Sequence, residues 1–128
     1  IDMPPGTGDV ALTVMQSTPI NGVVMVSVPQ DMVSMIVAKA VNMSKKLNIP
    51  VVGVVENMSY ILCPECNTKI SFNEENGVND FLAEMGLVLL GELPMTRGIA
   101  NLTKGEEQGT EKLFAPIADV IIGEVDKL

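Results

Sequence analysis

Apolar residues in this chain fall into runs of two kinds. VVMVSV, from Val23 to Val28, is short, β-branched and almost free of polar positions, the pattern of a strand covered on both faces. Pro29 and Gln30 close it. From Asp31 the period changes. In MVSMIVAKAVNMSKKL the apolar positions recur every three or four residues and the lysines collect at the end. That pattern predicts an amphipathic helix capped by Asp31, with cations against its negative C-terminus. Asn48 and Pro50 stop the helix, and VVGVV (Val51 to Val55) is a second buried strand. A third strand is predicted at VLLGEL (Val88 to Leu93), after a short helix from Gly77 to Met85, and a last helix around Glu111 to Lys127. Between Glu56 and Ile70 neither period is sustained, so 56–76 reads as a long loop. Strand and helix in alternation predict an α/β fold, a parallel sheet flanked by helices with right-handed crossovers. The methionines fall mostly on helix faces and strand ends, where a flexible thioether fills core gaps.

Composition narrows the classes. At 128 residues and 47% apolar, the chain amounts to one domain with enough apolar surface for a core. It contains no apolar run of bilayer-spanning length and no basic-then-apolar leader, so the expectation is a cytoplasmic protein with no membrane partner. The net charge of −8 repels phosphate backbones and argues against a nucleic-acid partner. A local phosphate site built from backbone N–H groups is compatible with that field.

The N-terminal stretch IDMPPGTGD opens on an apolar residue and an aspartate, then runs into a Pro/Gly-rich loop. Such a loop ordinarily follows a buried strand. The chain is therefore expected to be the C-terminal portion of a larger domain, cut inside that strand. Asp2 sits where a strand-end aspartate would hold Mg²⁺, and the segment Gly6, Thr7, Gly8 offers amides that a phosphate can approach closely. A structural turn is the competing reading. Asn57, after the second strand, carries the donor and acceptor that a purine edge requires, although an asparagine satisfying a turn is the stronger reading of these residues alone. Pro94 and Met95 follow the third strand, where open α/β sheets bind ligands.

The two cysteines, Cys63 and Cys66, form a CxxC pair in CPECNTK, and the chain has no histidine. A closed zinc site takes four N or S ligands and a cubane cluster four thiolates, so this chain supplies half of either. A two-fold symmetric dimer would supply the rest. Pro64 and Asn67-Thr68-Lys69 oppose the helix start that a thioredoxin-like couple needs, and Asn67 suits a left-handed turn residue. Metal ligation is thus favoured over a redox couple or two structural thiols, with iron–sulfur and zinc left open by spacing.

Taken in order, IDMPPGTGD, VSVPQD, VVGVVENMSY, CPEC and GELPM resemble the Mrp/ApbC group of P-loop ATPases, of the deviant Walker A class with MinD, ParA and the nitrogenase iron protein. The resemblance covers essentially the whole chain. It implies an ATP-binding homodimer that holds a 4Fe–4S cluster across paired CPxC motifs and delivers it to apo iron–sulfur proteins. It implies Asp2 as the Walker B aspartate, Gly6 near the γ-phosphate, Asp9 near the attacking water, Asn57 on adenine with Pro94 and Met95 beside the base, and Cys63 and Cys66 as cluster ligands. The family's Gly-rich lysine loop has no counterpart in this sequence, since no G-x-x-x-x-G-K-[ST] occurs in it. Without that loop the chain is not expected to hydrolyse ATP by itself. The alternatives are a positioning ATPase of the MinD/ParA kind, or a dimer bridged by structural zinc.

Overall fold

β-branched runs build the sheet and stripes of apolar residues pin helices to both of its faces. The computed structural model describes residues 1–29, 31–72, 75–100 and 110–128. Its elements are α1 (Asp9–Ser17), β1 (Val23–Ser27), α2 (Asp31–Lys46), β2 (Val51–Leu62), β3 (Lys69–Ser71), α3 (Glu75–Met85), β4 (Leu89–Pro94), α4 (Arg97–Ala100) and α5 (Glu111–Val125). β2 is central, pairing parallel to β1 and to β4. On one face α2 and α3 bury Val37, Val41 and Leu82 against Met25 and Val54. The α3 stripe Val78, Phe81, Leu82, Met85 has helical spacing, which is why this short helix docks. On the other face α5 lays Leu113, Ile117 and Ile121, four apart, over Val52, Val55, Leu90 and Leu93.

The helices end as their sequences dictate. Asn48 and Gly86 both take positive φ, 57° and 69°, and each is followed by an amide that reaches back five residues: Ile49 N donates to Ser44 O and Leu87 N to Leu82 O. This six-to-one closure satisfies carbonyls that the helix leaves orphaned. The side chain of Asp31, expected as the cap of α2, lies outside the described residues.

Three features depart from the sequence expectations. First, the sheet is mixed, because β3 pairs antiparallel with the end of β2. The segment 56–76 is therefore not simply a loop: β2 runs on to Leu62 and turns back as β3. The polar residues that hid this continuation, Glu56 and Ser59, are buried and satisfy each other. Second, α1 follows directly on the Pro/Gly-rich segment; it carries no side-chain cap at Gly8, so no capping signal marks its start. Third, alternation along β2 breaks once. Val51 and Val54 face α2 while Val52 and Val55 face α5, because Val23 and Val24 of β1 pair with Val51 and Gly53, skipping a residue. The extra residue is a bulge that resets the faces.

Candidate functional site

Parallel pairing brings the C-terminal ends of β1, β2 and β4 to one edge. Ser27 is opposite Glu56, and Glu56 is opposite Glu92. Beyond that edge β2 does not stop. Its pairing with β4 jumps from Glu56–Glu92 to Tyr60–Pro94, so four steps on β2 match two on β4. The surplus residues Asn57, Met58 and Ser59 form a wide bulge in which Met58 takes φ 55°. Met95 N donates to Tyr60 O at 2.8 Å and recloses the ladder.

This bulge places Asn57 beside the end of β4, as the sequence predicts for a shared site. Asn57 Oδ1 accepts the Met58 amide at 3.0 Å, the turn-satisfying role, which leaves its Nδ2 to donate. Met95 is half-exposed, whereas Pro94 is fully buried and turns no side-chain surface to a ligand. The bulge also turns Ser59 inward. Its hydroxyl lies 2.9 Å from Glu56 Oε2 and 2.7 Å from Glu92 Oε1. Lys69 Nζ binds the other oxygen of Glu92 at 3.0 Å and lies 4.4 Å from the centre of the Tyr60 ring. Partial burial pushes the Glu92 carboxyl up, but Ser59 and Lys69 outweigh it and hold the group below its ordinary range.

Past Tyr60 the chain leaves the body as a hairpin, with Tyr60, Ile61 and Leu62 opposite Ser71, Ile70 and Lys69. Its tip is CPECNT. Cys63 N donates to Thr68 O at 3.0 Å and Asn67 N donates to Cys63 O at 2.9 Å, while Asn67 takes φ 56°, the left-handed conformation expected of it. Both cysteines are free, Cys63 half-buried and Cys66 exposed. Cys66 Sγ lies 3.0 Å from Thr68 Oγ1. The Thr68 hydroxyl and backbone, with the Cys63 thiol, lower the Cys66 thiol below its ordinary range. A thiol eased toward thiolate and facing solvent is suited to a soft metal. No group of three or more Cys, Asp or Glu side chains able to hold a metal ion occurs among the described residues. Cys63 and Cys66 thus stand as a pair with no third such group beside them among the described residues.

The Asp2–Asp9 segment is exposed throughout except at half-buried Met3. Gly6 takes φ 90°, open to glycine and strained for other residues, and nothing lies within 4 Å of where a Cβ would stand on Gly6 or Gly8. Asp9 begins α1, with its carbonyl accepting from Thr13 Oγ1. Asp2, Gly6, Thr7 and Gly8 make no hydrogen bond or ion pair to Asn57, Met95 or the cysteines among the described residues. Ile1 and Met3 instead line an apolar cavity of about 440 Å³ beside Val23, Val24, Val52 and Val125. Sequence reasoning assigned no role to Ser59, Glu92, Thr68 and Lys69, although each lies within a quoted motif, because the contacts that join Ser59 and Lys69 to Glu92 are not local: Ser59 and Glu92 meet across 33 positions.

Comparison with known proteins finds relatives along most of the chain. A family profile described as ParA, NUBPL iron-transfer P-loop NTPase, matches residues 1–122. An iron–sulfur cluster carrier protein of Clostridium perfringens is 51% identical over 109 residues, covering 85% of this chain and 37% of that protein. One from Pyrococcus horikoshii is 45% identical, covering all of this chain and 46% of its own length. The iron–sulfur cluster transfer protein NUBPL of Mus musculus is 44% identical over 74% of this chain and 30% of its own length. A nucleotide-binding protein of Archaeoglobus fulgidus, solved in complex with ADP and with cobalt found in it, superposes with a TM-score of 0.71 at 36% identity, over 83% of this chain and 44% of that one. The chain spans less than half the length of each of these relatives.

Proposed function

The chain belongs to the ParA/NUBPL family of iron-transfer P-loop NTPases, and from that premise we propose that it carries an iron–sulfur cluster, shared between two copies, for delivery to apo-proteins. The observation that carries this reading is the half-site itself: two free cysteines on a projecting hairpin, one sulfur supported by Thr68, and no third ligand beside them among the described residues. Four thiolates complete a 4Fe–4S cluster, and a two-fold axis at the hairpin tips provides them. The exposed apolar side chains of Leu62, Ile70 and Phe72 on the same hairpin are what such an axis would cover. An exposed, loosely enclosed cluster is one that a recipient's thiols can reach, which suits a carrier.

Adenine nucleotide is the second ligand of the proposal, supported by the ADP complex of the Archaeoglobus fulgidus relative. Asn57 would donate through Nδ2 to the base, with Met95 against it. Asp2, Gly6, Thr7, Gly8 and Asp9 would serve the phosphates and Mg²⁺, through open backbone at Gly6 and Gly8. Among the described residues no helix is long and apolar enough to cross a membrane.

Anaerobic reconstitution with iron and sulfide tests the carrier role. We expect about four irons per two chains, a broad visible absorption, and a mass that doubles as iron is taken up. A chain that stays monomeric and iron-free under these conditions would overturn the proposal, and uptake of a single zinc per two chains with no iron would replace the cluster by a structural metal.

A further inference from the structure

A two-stranded hairpin is marginal on its own, and β3 is only three residues long with every side chain exposed. The cysteine tip nevertheless has to hold one orientation if two copies are to bring four sulfurs to a common point, because a site misplaced by about 1 Å loses much of its affinity. Few contacts fix that orientation. Backbone bonds from Phe72 N to Ser59 O at 3.0 Å and from Met95 N to Tyr60 O at 2.8 Å hold the hairpin at its root. Nearer the tip, one side-chain hydrogen bond runs from β3 to β4 among the described residues: Lys69 Nζ to Glu92 Oε2. Lys69 faces Leu62 in the pair adjacent to Cys63, and only Asn67 and Thr68 separate it from Cys66.

We propose that Lys69, anchored on Glu92, is a positioning residue for Cys63 and Cys66, with Ser59 fixing Glu92 from inside the body. The inference rests on the reading of the two cysteines as metal ligands. Three details set Lys69 apart from an ordinary surface ion pair. Its ammonium stands 4.4 Å from the centre of the Tyr60 ring, a cation–π contact that favours this placement. Its partner Glu92 has the Ser59 hydroxyl 2.7 Å from its opposite oxygen, a second contact on the anchor. Ser59 has one hydroxyl proton between two carboxylates, Glu56 and Glu92, so it serves one of them at a time. The Lys69 ammonium is then what balances the second carboxylate. Replacing it frees the hairpin and leaves Glu56 and Glu92 facing each other across one hydroxyl.

Cobalt(II) binding under anaerobic, reducing conditions tests this, read from the thiolate-to-cobalt charge-transfer absorption of the complete protein. Lys69→Met and Glu92→Gln should each weaken cobalt binding about tenfold, the scale for groups that orient metal ligands without touching the metal. Lys69→Arg should restore it to within about twofold, since a guanidinium can span the same carboxylate. Circular dichroism of the Glu92→Gln protein, which keeps the size and polarity of the side chain, guards against loss of fold. Lys69→Met and Glu92→Gln proteins that bind cobalt as the parent does would overturn the proposal, and so would a failure of arginine to rescue. Cys63→Ser separates the two levels of inference. Loss of the band there together with an unchanged Lys69→Met protein rejects the positioning role alone, whereas a band that survives Cys63→Ser rejects the reading of the cysteines as ligands.

Discussion

Gly53→Val should be among the most destabilising single substitutions this chain can carry, lowering the free energy of unfolding by about 3 kcal/mol or more. Gly53 is buried in β2, at the point where the pairing with β1 skips a residue. A Cβ there would stand 2.6 Å from Val88 O and 2.7 Å from Leu90 Cγ. Val88 O is not free to retreat, because it accepts the Val54 amide at 2.8 Å and holds β4 against β2. Gly91 provides the control. A Cβ at Gly91 would meet Ile117 Cγ1 at 2.5 Å, and its three nearest neighbours all belong to that one side chain. Gly91→Ala should therefore be relieved by Ile117→Ala, the double variant costing less than the sum of its parts. Gly53→Ala should gain nothing comparable from Leu90→Ala, since the carbonyl remains. Thermal unfolding of Gly53→Val and of the two sets of single and double variants measures this, and for a domain of this size the Gly53→Val loss corresponds to a fall in Tm of roughly 10 °C. A Gly53→Val protein that melts within a degree or two of the parent would show that β4 can shift, and the bulge would lose its structural importance.

Gly53 also illustrates what the sequence does and does not disclose. VVGVV is legible as a buried strand from its composition. Which of its valines face α2 and which face α5 is not, because the bulge exchanges the faces midway and depends on a partner strand far along the chain. The same limit governs the far end of β2. Polar residues Glu56 to Ser59 read as the end of a strand, since burying a carboxylate without a partner is costly. Glu56 has its partner in the Ser59 hydroxyl, which the bulge turns inward, and Ser59 also reaches Glu92, itself paired with Lys69, an arrangement that only the folded chain assembles. Local signals fared better. Asn67 in the left-handed conformation follows from its side chain and the tight CPECN turn, and the stop at Asn48 follows likewise. The helix α1 escaped because a glycine cap leaves no trace in side-chain chemistry. Asn57 and Met95 were singled out because they follow predicted strands and Cys63 and Cys66 because of their CxxC spacing, whereas the contacts among Ser59, Glu92 and Lys69 appear only in the folded chain.

Substituting either cysteine should abolish cluster binding rather than weaken it, because symmetry doubles every loss. If two chains share one cluster, Cys66→Ala removes two of the four thiolates at once. Four-ligand metal sites are worth about 10–16 kcal/mol, so losing half the ligands costs on the order of 5 kcal/mol or more. At 1.4 kcal/mol per decade, that is a drop in affinity of at least about a thousandfold. Cys63→Ala should do the same despite its different setting, half-buried where Cys66 is exposed, since no third ligand stands by to compensate among the described residues. Stability should barely move in the Cys66 variant, because a surface substitution changes it by about 0.5 kcal/mol or less. The measurement is iron content and mass on one anaerobic sample: parent chains pair as they fill, while Cys66→Ala chains remain single and colourless at the same iron concentration. Dimers that form equally with and without iron would instead place the pairing surface elsewhere and leave the cysteines to act singly. Iron retained in full by Cys66→Ala would be more damaging, for it would require ligands that the hairpin does not supply. A carrier needs its cargo held by few enough bonds that a recipient can take it, and the proposed site of two identical halves would meet that need: parting the hairpins would leave each copy with too few thiolates to keep the cluster.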